Sequence, residues 1–92
     1  MKLCLKVVFS IGSSEGFLHN FVLKRASKLQ VEGTARLIQN GKVFIIACGS
    51  KEDVDDFVDV LHKGASKYQL DDFELEPFLN AKDYRGVFRV IE

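Results

Sequence analysis

The chain has 92 residues and no net charge, since its 13 basic side chains balance its 13 acidic ones, and 47% of it is hydrophobic. A chain this short suffices for one domain with one small core, so we expect residues 1–92 to form a single domain. The charge balance argues against a protein that binds nucleic acid or an anionic membrane through a large basic face. No apolar run is long enough to cross a bilayer.

The N-terminal segment predicts a strand, because Leu3, Leu5, Val7 and Phe9 occupy every second position. Alternation with a period of two is typical of a strand with one buried face. The segment lacks the continuous apolar stretch of a signal peptide, so we expect a cytoplasmic protein.

A loop with glycines at both ends, residues 12–16, follows this strand and leads into a helix that ends near Gln30. The helix is predicted from residues that recur at helical spacing: Leu18, Phe21, Val22, Arg25, Ala26 and Leu29. A helix that begins directly after such a loop presents backbone N–H groups that can hold an anion.

Two strands joined by a hairpin are predicted next, over residues 34–38 and 42–48. The turn between them contains Asn40-Gly41, a pair that suits the positive φ angles of a tight hairpin turn. Ser50 then caps a second helix, and Gly64 predicts its end. The apolar stripe of this helix consists of Val54, Phe57, Val58 and Leu61.

The C-terminal third predicts two further strands, over residues 68–75 and 87–91. Pro77 marks an end or an edge of the sheet, because proline has no N–H to donate. The order strand, helix, strand, strand, helix, strand, with a short extra strand, predicts an α+β fold. We expect a ferredoxin-like βαββαβ sandwich with a four- to five-stranded antiparallel sheet and both helices on one face.

The two cysteines, Cys4 and Cys48, are too few and too far apart in sequence to form a metal site. We expect the first and third strands to be parallel neighbours, with Cys4 at the start of one and Cys48 at the end of the other. The two residues then lie more than ~10 Å apart, which is beyond disulfide reach. The expectation is therefore two buried thiols in a reducing compartment.

Several short motifs occur in an order that is shared with one known family. They are Ala26 to Gly33 (A-x-x-L-G-L-x-G, with Gln30 for one glycine), Asn40-Gly41, Leu61 to Gly64 (L-x-x-G-P, with Ala65 for proline), and Tyr84, Phe88 and Val90 (Y-x-x-F-x-I, one residue longer). In this order the chain resembles the acylphosphatase family over nearly its whole length.

The resemblance implies hydrolysis of acyl phosphates. In the family, backbone N–H groups of the first loop and one arginine at the helix start hold the phosphoryl group, while an asparagine on the second strand positions the attacking water. Fixed donors and an aligned water are what this reaction requires, because charge gathers on the phosphoryl oxygens.

Both of these catalytic side chains are replaced in this sequence. An alignment anchored on Phe21-Val22 and Ala26 puts the arginine position at His19, while one anchored on Gly16-Phe17 puts it at Leu18. The asparagine position, counted from Gly33, is Leu37. We therefore expect an acylphosphatase-like domain with little or no hydrolase activity, and a functional acylphosphatase is the alternative.

The candidate phosphate loop keeps some of its chemistry. Its residues are Ser13, Ser14, Glu15, Gly16, Phe17, Leu18 and His19. Glu15 either caps the N–H groups of its own helix or stands beside a weak anion site, and it opposes any bound anion. We also expect Leu37, together with Leu18 or Phe17, to fill the hollow that water and substrate use in the family.

The partner implied by the resemblance is phosphate or an acyl phosphate, with no cofactor and no metal. Nucleic acid is not expected, because the third strand offers one aromatic residue, Phe44, and no Lys/Arg-Gly-Phe-Gly motif. No membrane partner is expected, and the sequence leaves the oligomeric state open.

Overall fold

A computed structural model of the chain describes residues 3–12, 17–38, 41–64, 70–78 and 85–91, with the backbone alone for residues 17–19 and 70. The elements, in chain order, are β1 (Leu3–Ile11), a π-helical segment (Phe17–Leu23) continuous with α1 (Lys24–Lys28), β2 (Glu32–Ile38), β3 (Lys42–Gly49), α2 (Lys51–Lys63), β4 (Leu70–Pro77) and β5 (Phe88–Ile91). We refer to the π-helical segment and α1 together as the first helix.

The five described strands form one sheet in the order β4-β1-β3-β2-β5. The predicted α+β, ferredoxin-like fold is confirmed, with two differences in strand direction. The pairs β1–β4 and β2–β3 are antiparallel, as an antiparallel sheet requires. The pair β1–β3 is antiparallel where parallel neighbours were expected, and β5 pairs parallel to β2. β4 runs antiparallel to β1 and therefore to β2. When the chain reverses direction after β4, the next strand, β5, runs parallel to β2.

Both helices pack on the same face of the sheet, which we call the core face. The strands contribute side chains at every second position, and the helices contribute their apolar stripes. The buried members of this core are Val7, Phe9, Val22, Ala26, Val31, Ala35, Val43, Ile45, Ala47, Phe57, Val58, Leu61 and Phe88. The apolar spacing that predicted the first helix and α2 is therefore explained by burial against one sheet.

The opposite face of the sheet, which we call the outer face, carries the two cysteines, and here the sequence-based expectation was wrong. Cys4 and Cys48 are directly opposite each other in the β1–β3 ladder and form a disulfide, with 4.1 Å between their Cα atoms. The error lay in the strand direction, because β1 and β3 are antiparallel rather than parallel neighbours. The start of β1 therefore meets the end of β3, and Phe78 packs against the resulting cluster.

The second helix begins and ends where the sequence predicts. The Asp53 N–H donates to the Ser50 hydroxyl at 3.1 Å, which is the expected N-cap. Gly64 ends the helix in a right-handed conformation, with φ −78° and ψ −7°, and so lacks the left-handed angles of the predicted C′ motif. On the exposed side, Lys51 donates to Asp55 at 2.8 Å, and this hydrogen bond and the aspartate charge raise the pKa of Lys51.

The connections support the strand assignments. Gly41 has a φ of +72°, as the predicted hairpin turn requires, while Gln39 and Asn40 lie outside the described residues. Gly33 in β2 has a φ of +141°, and a Cβ there would lie 1.8 Å from the carbonyl oxygen of Ile46, so only glycine fits. Pro77 ends β4, which is an edge strand, as the missing N–H predicted.

Candidate functional site

The start of the first helix has π rather than α geometry over Phe17–Leu23. A π-helical turn closes its hydrogen bonds to the fifth residue rather than the fourth, so it holds one residue more than an α-helical turn. The two alignments with the family motif differ by one residue, and the segment between their anchors is this π-helical one. The assignment of the arginine position to His19 or Leu18 stays a prediction. Nothing in the letters themselves signals the change.

Leu37 lies on β2 beside Val43 of β3, one residue before the end of the strand. It follows the buried Ala35 by two positions, so it is on the core face, yet 42% of its surface is exposed. An exposed aliphatic side chain thus occupies the position that the sequence comparison assigned to the carboxamide. Its expected packing partners, Phe17 and Leu18, have side chains outside the description, so the proposed filling of the hollow stays a prediction.

Arg36, the next residue back along β2, points to the outer face. Its guanidinium carbon lies 5.6 Å from the centroid of the Phe44 ring. Neighbouring residues of a strand point to opposite faces, so Arg36 lies on the side of the sheet opposite to Leu37, in agreement with its contact with Phe44. Arg36 is therefore not placed to replace the arginine of the family.

Of the candidate phosphate loop, residues 13–16 and the side chains of residues 17–19 lie outside the described part of the chain, whereas the end of β1 that precedes it is described. Ser10, Ile11, Gly12 and Asp71 line an open pocket of about 370 Å³ at the end of β1. The Asp71 carboxylate accepts a hydrogen bond from the Asp72 N–H at 2.9 Å. This is a second acidic group near the loop, besides Glu15, and sequence reasoning missed it because Asp71 is some 60 positions away along the chain.

A second pocket, of about 380 Å³, lies between the first helix and the end of α2. Phe21, Arg25, Val60, Lys63 and Gly64 line it. The Arg25 guanidinium carbon lies 5.8 Å from the centroid of the Phe21 ring. Neither cation of this pocket takes part in the ion pairs Lys6–Glu76 and Lys51–Asp55. Lys63 was missed by sequence reasoning, which assigned it no role.

The remaining titratable groups of the described chain do not assemble into a further centre. His62, in the last turn of α2, lies with its ring centroid 4.1 Å from that of Phe73 in β4. Within the described ranges, no three His, Cys, Asp or Glu side chains are close enough together to hold a metal ion. None of the helices in the described part of the chain is both long and apolar enough to cross a bilayer.

Comparison with known proteins gives a consistent result. A family model described as acylphosphatase matches residues 15–90. An acylphosphatase from Mannheimia succiniciproducens is 30% identical to the chain over 84 residues, which is 91% of each. The structure of an acylphosphatase from Coxiella burnetii is similar, with a TM-score of 0.84 and 26% identity over 98% of this chain and 93% of that one. A Bacillus subtilis acylphosphatase has a TM-score of 0.85 at 17% identity over the full length of both chains, which shows a shared fold.

Proposed function

We propose, from the premise that this chain belongs to the acylphosphatase family, that it retains the scaffold of the family but hydrolyses acyl phosphates slowly or not at all. The observation that carries the proposal is Leu37, which is 42% exposed on the core face of β2. Counting from Gly33 in the family motif assigns the asparagine position to this residue. Function belongs to the side chains of the site rather than to the fold that holds them.

Leu37 lacks the chemistry that the position needs. A carboxamide both donates and accepts hydrogen bonds and can fix the orientation of a water, whereas a leucine side chain does neither. Water beside Leu37 has no partner there to align it for attack on phosphorus. Removal of one group that stabilises or positions the transition state typically lowers the rate by ~10²–10³.

The cation position is also weakened in either alignment. Leucine carries no charge, and a histidine has an unperturbed pKa of ~6.5, so it is mostly neutral at physiological pH. Even as an imidazolium, His19 would offer one N–H on each side of its ring instead of the fork of donors of a guanidinium. The effects at His19 or Leu18 and at Leu37 compound, although such losses do not simply add.

Weak anion binding is the activity that the remaining groups support. Arg25 and Lys63 share a pocket beside the first helix and make no ion pair with another described residue. Asp71 lines the pocket at the end of β1 and repels an anion there. We therefore expect phosphate to bind with low affinity and with a strong dependence on ionic strength.

The test is steady-state hydrolysis of benzoyl phosphate by the unmodified protein and by variants that restore the family residues. Leu37→Asn is combined with His19→Arg in one protein and with Leu18→Arg in another, because the π-helical turn leaves two positions for the arginine. We expect the unmodified protein to match the buffer rate and one double variant to exceed it at least ~10-fold. Ile38→Asn, on the neighbouring position of β2, is the matched control and should give no gain.

Turnover by the unmodified protein well above the buffer rate, lowered by His19→Ala, would overturn the proposal. The chain would then be a functional acylphosphatase that uses an imidazole in place of the guanidinium. A gain in the Ile38→Asn control equal to that in the double variants would also count against it.

A further inference from the structure

The outer face of the sheet has an ordered distribution of charge that the strand registers reveal. Side chains on this face form rows across the five strands, because paired residues of neighbouring strands point the same way. One row, the Phe44 row, consists of Glu74, Val8, Phe44, Arg36 and Ile91. The next row, the Ile46 row, consists of Glu76, Lys6, Ile46, Thr34 and Arg89.

Both rows are acidic at the β4 end and basic at the end formed by β2 and β5. Glu74 and Glu76 are exposed on β4, and the Glu76 carboxylate is 3.1 Å from the Lys6 ammonium. Arg36 and Arg89 are exposed at the other end. The net charge of zero thus conceals a face with opposite charges at its two sides.

The middle of this face is apolar and lies on the central strand, β3. Phe44 and its neighbour Val8 are half-buried, and the Lys6 ammonium and the Arg36 guanidinium each lie 5.6 Å from the centroid of the Phe44 ring. Ile91 adds an aliphatic side chain that is 47% exposed. Ile46 is only 4% exposed and packs with the disulfide and Phe78, so the accessible apolar surface belongs to the Phe44 row.

Such a face is complementary to itself. Consider a two-fold axis that runs parallel to the strands, above β3. It places β4 of one copy over β5 of the other, β1 over β2, and β3 over β3. The axis therefore brings Glu76 of one copy over Arg89 of the other, Glu74 towards Arg36, and Phe44 over Phe44. In a two-fold interface every contact occurs twice, so each favourable pair counts twice.

We infer that the outer face is a self-association surface, on which two copies of the chain stack sheet against sheet with Phe44 at the centre. Charge complementarity fixes the orientation, since a copy turned by 180° within the plane of the sheet would place like charges together. Sheets that pack face to face keep their strands within about 30° of each other, which this arrangement allows.

The size of the surface sets the strength of the association. Five strands span ~20 Å, and two rows extend ~13 Å along the strands, so the patch is well below the ~800 Å² per partner of a standard interface. We therefore expect a weak dimer whose population rises with chain concentration and falls with added salt.

The experiment is sedimentation velocity over a concentration series at low ionic strength, with two charge-reversed variants. Arg89→Glu and Glu76→Arg each place like charges opposite one another in the dimer, and each is expected to raise the dissociation constant at least ~10-fold. An equimolar mixture of the two variants restores both opposite-charge contacts, so it should associate about as well as the unmodified chain. Lys28→Glu, on the exposed side of α1, changes the net charge by the same amount as Arg89→Glu and serves as the control.

The interface is located independently by the amide NMR shift of Phe44, which should change on dilution of the unmodified protein. The inference is overturned if the unmodified chain stays monomeric over the series, or if Lys28→Glu weakens association as much as Arg89→Glu. It is also overturned if the mixture of variants associates no better than each variant alone. Circular dichroism detects any variant that unfolds. In that case the pair Arg36→Glu and Glu74→Arg replaces the pair Arg89→Glu and Glu76→Arg.

Discussion

At the scale of single residues, Gly64 shows how a position can require glycine without unusual backbone angles. Its φ of −78° suits any residue, but a Cβ there would lie 2.7 Å from Cζ of Phe21. We expect Gly64→Ala to destabilise the protein by about 1–3 kcal/mol through overpacking, although alanine favours helical conformation. Equilibrium unfolding in urea measures the change.

The control for this prediction is the partner of the contact. In a Phe21→Leu background the ring is gone, so Gly64→Ala should cost less than it does in the unmodified protein, and the two changes should not be additive. Equal costs in both backgrounds would mean that the Phe21 ring is not the cause.

At the scale of the element, α2 depends on its cap. Ser50→Ala removes the hydroxyl that accepts from the Asp53 N–H, and we expect a loss of about 1 kcal/mol in the free energy of unfolding. Ser27→Ala, at an exposed position within α1, is the matched change and should be neutral or slightly stabilising. Thermal unfolding of the three proteins side by side tests both statements, and an equal loss in both variants would refute the capping role.

The first helix marks the limit of prediction at this scale. The spacing of Phe21, Val22 and Ala26 gave the presence of the helix and its buried face, because burial against the sheet dictates that spacing. This spacing did not predict the π geometry over Phe17–Leu23. A turn with one additional residue has no characteristic amino-acid composition by which the sequence could reveal it. The asparagine position was assigned to Leu37 by counting from Gly33, a segment without π geometry, and this assignment stays a prediction.

At the scale of the whole molecule, the disulfide joins β1 to β3 across 44 positions of sequence. A loop of that length corresponds to about 4 kcal/mol of stabilisation in the chain-entropy model. We expect reductant to lower the free energy of unfolding by up to this amount, measured by guanidinium denaturation with and without a phosphine. A Cys4→Ala/Cys48→Ala variant should have the same free energy of unfolding with and without the phosphine. Two reactive thiols in the folded, untreated protein would contradict the prediction.

The same topology shows what the sequence already contained. The Asn40-Gly41 hairpin makes β3 antiparallel to β2, and the helical connection makes β2 parallel to β1. Together these require β1 and β3 to be antiparallel, so the relative direction of the two strands was deducible from the predicted elements. The register that puts Cys4 opposite Cys48 was not, because strand direction alone leaves it undetermined. The direction of β5 was not deducible either, because a four-residue strand at the edge pairs either way without a change in its pattern.

The bond between Cys4 and Cys48 also closes part of the backbone into a covalent ring that holds the first helix and β2, with α2, β4 and β5 on an open tail. A chain cut once by a protease inside this ring, for instance after Lys28, remains one molecule. A cut after Lys63, at the end of α2, breaks the covalent link between the ring and the part of the tail that holds β4 and β5. The two parts of the chain therefore differ in their response to a single cleavage. After a cut inside the ring, the two fragments stay covalently linked, so their reassembly is intramolecular.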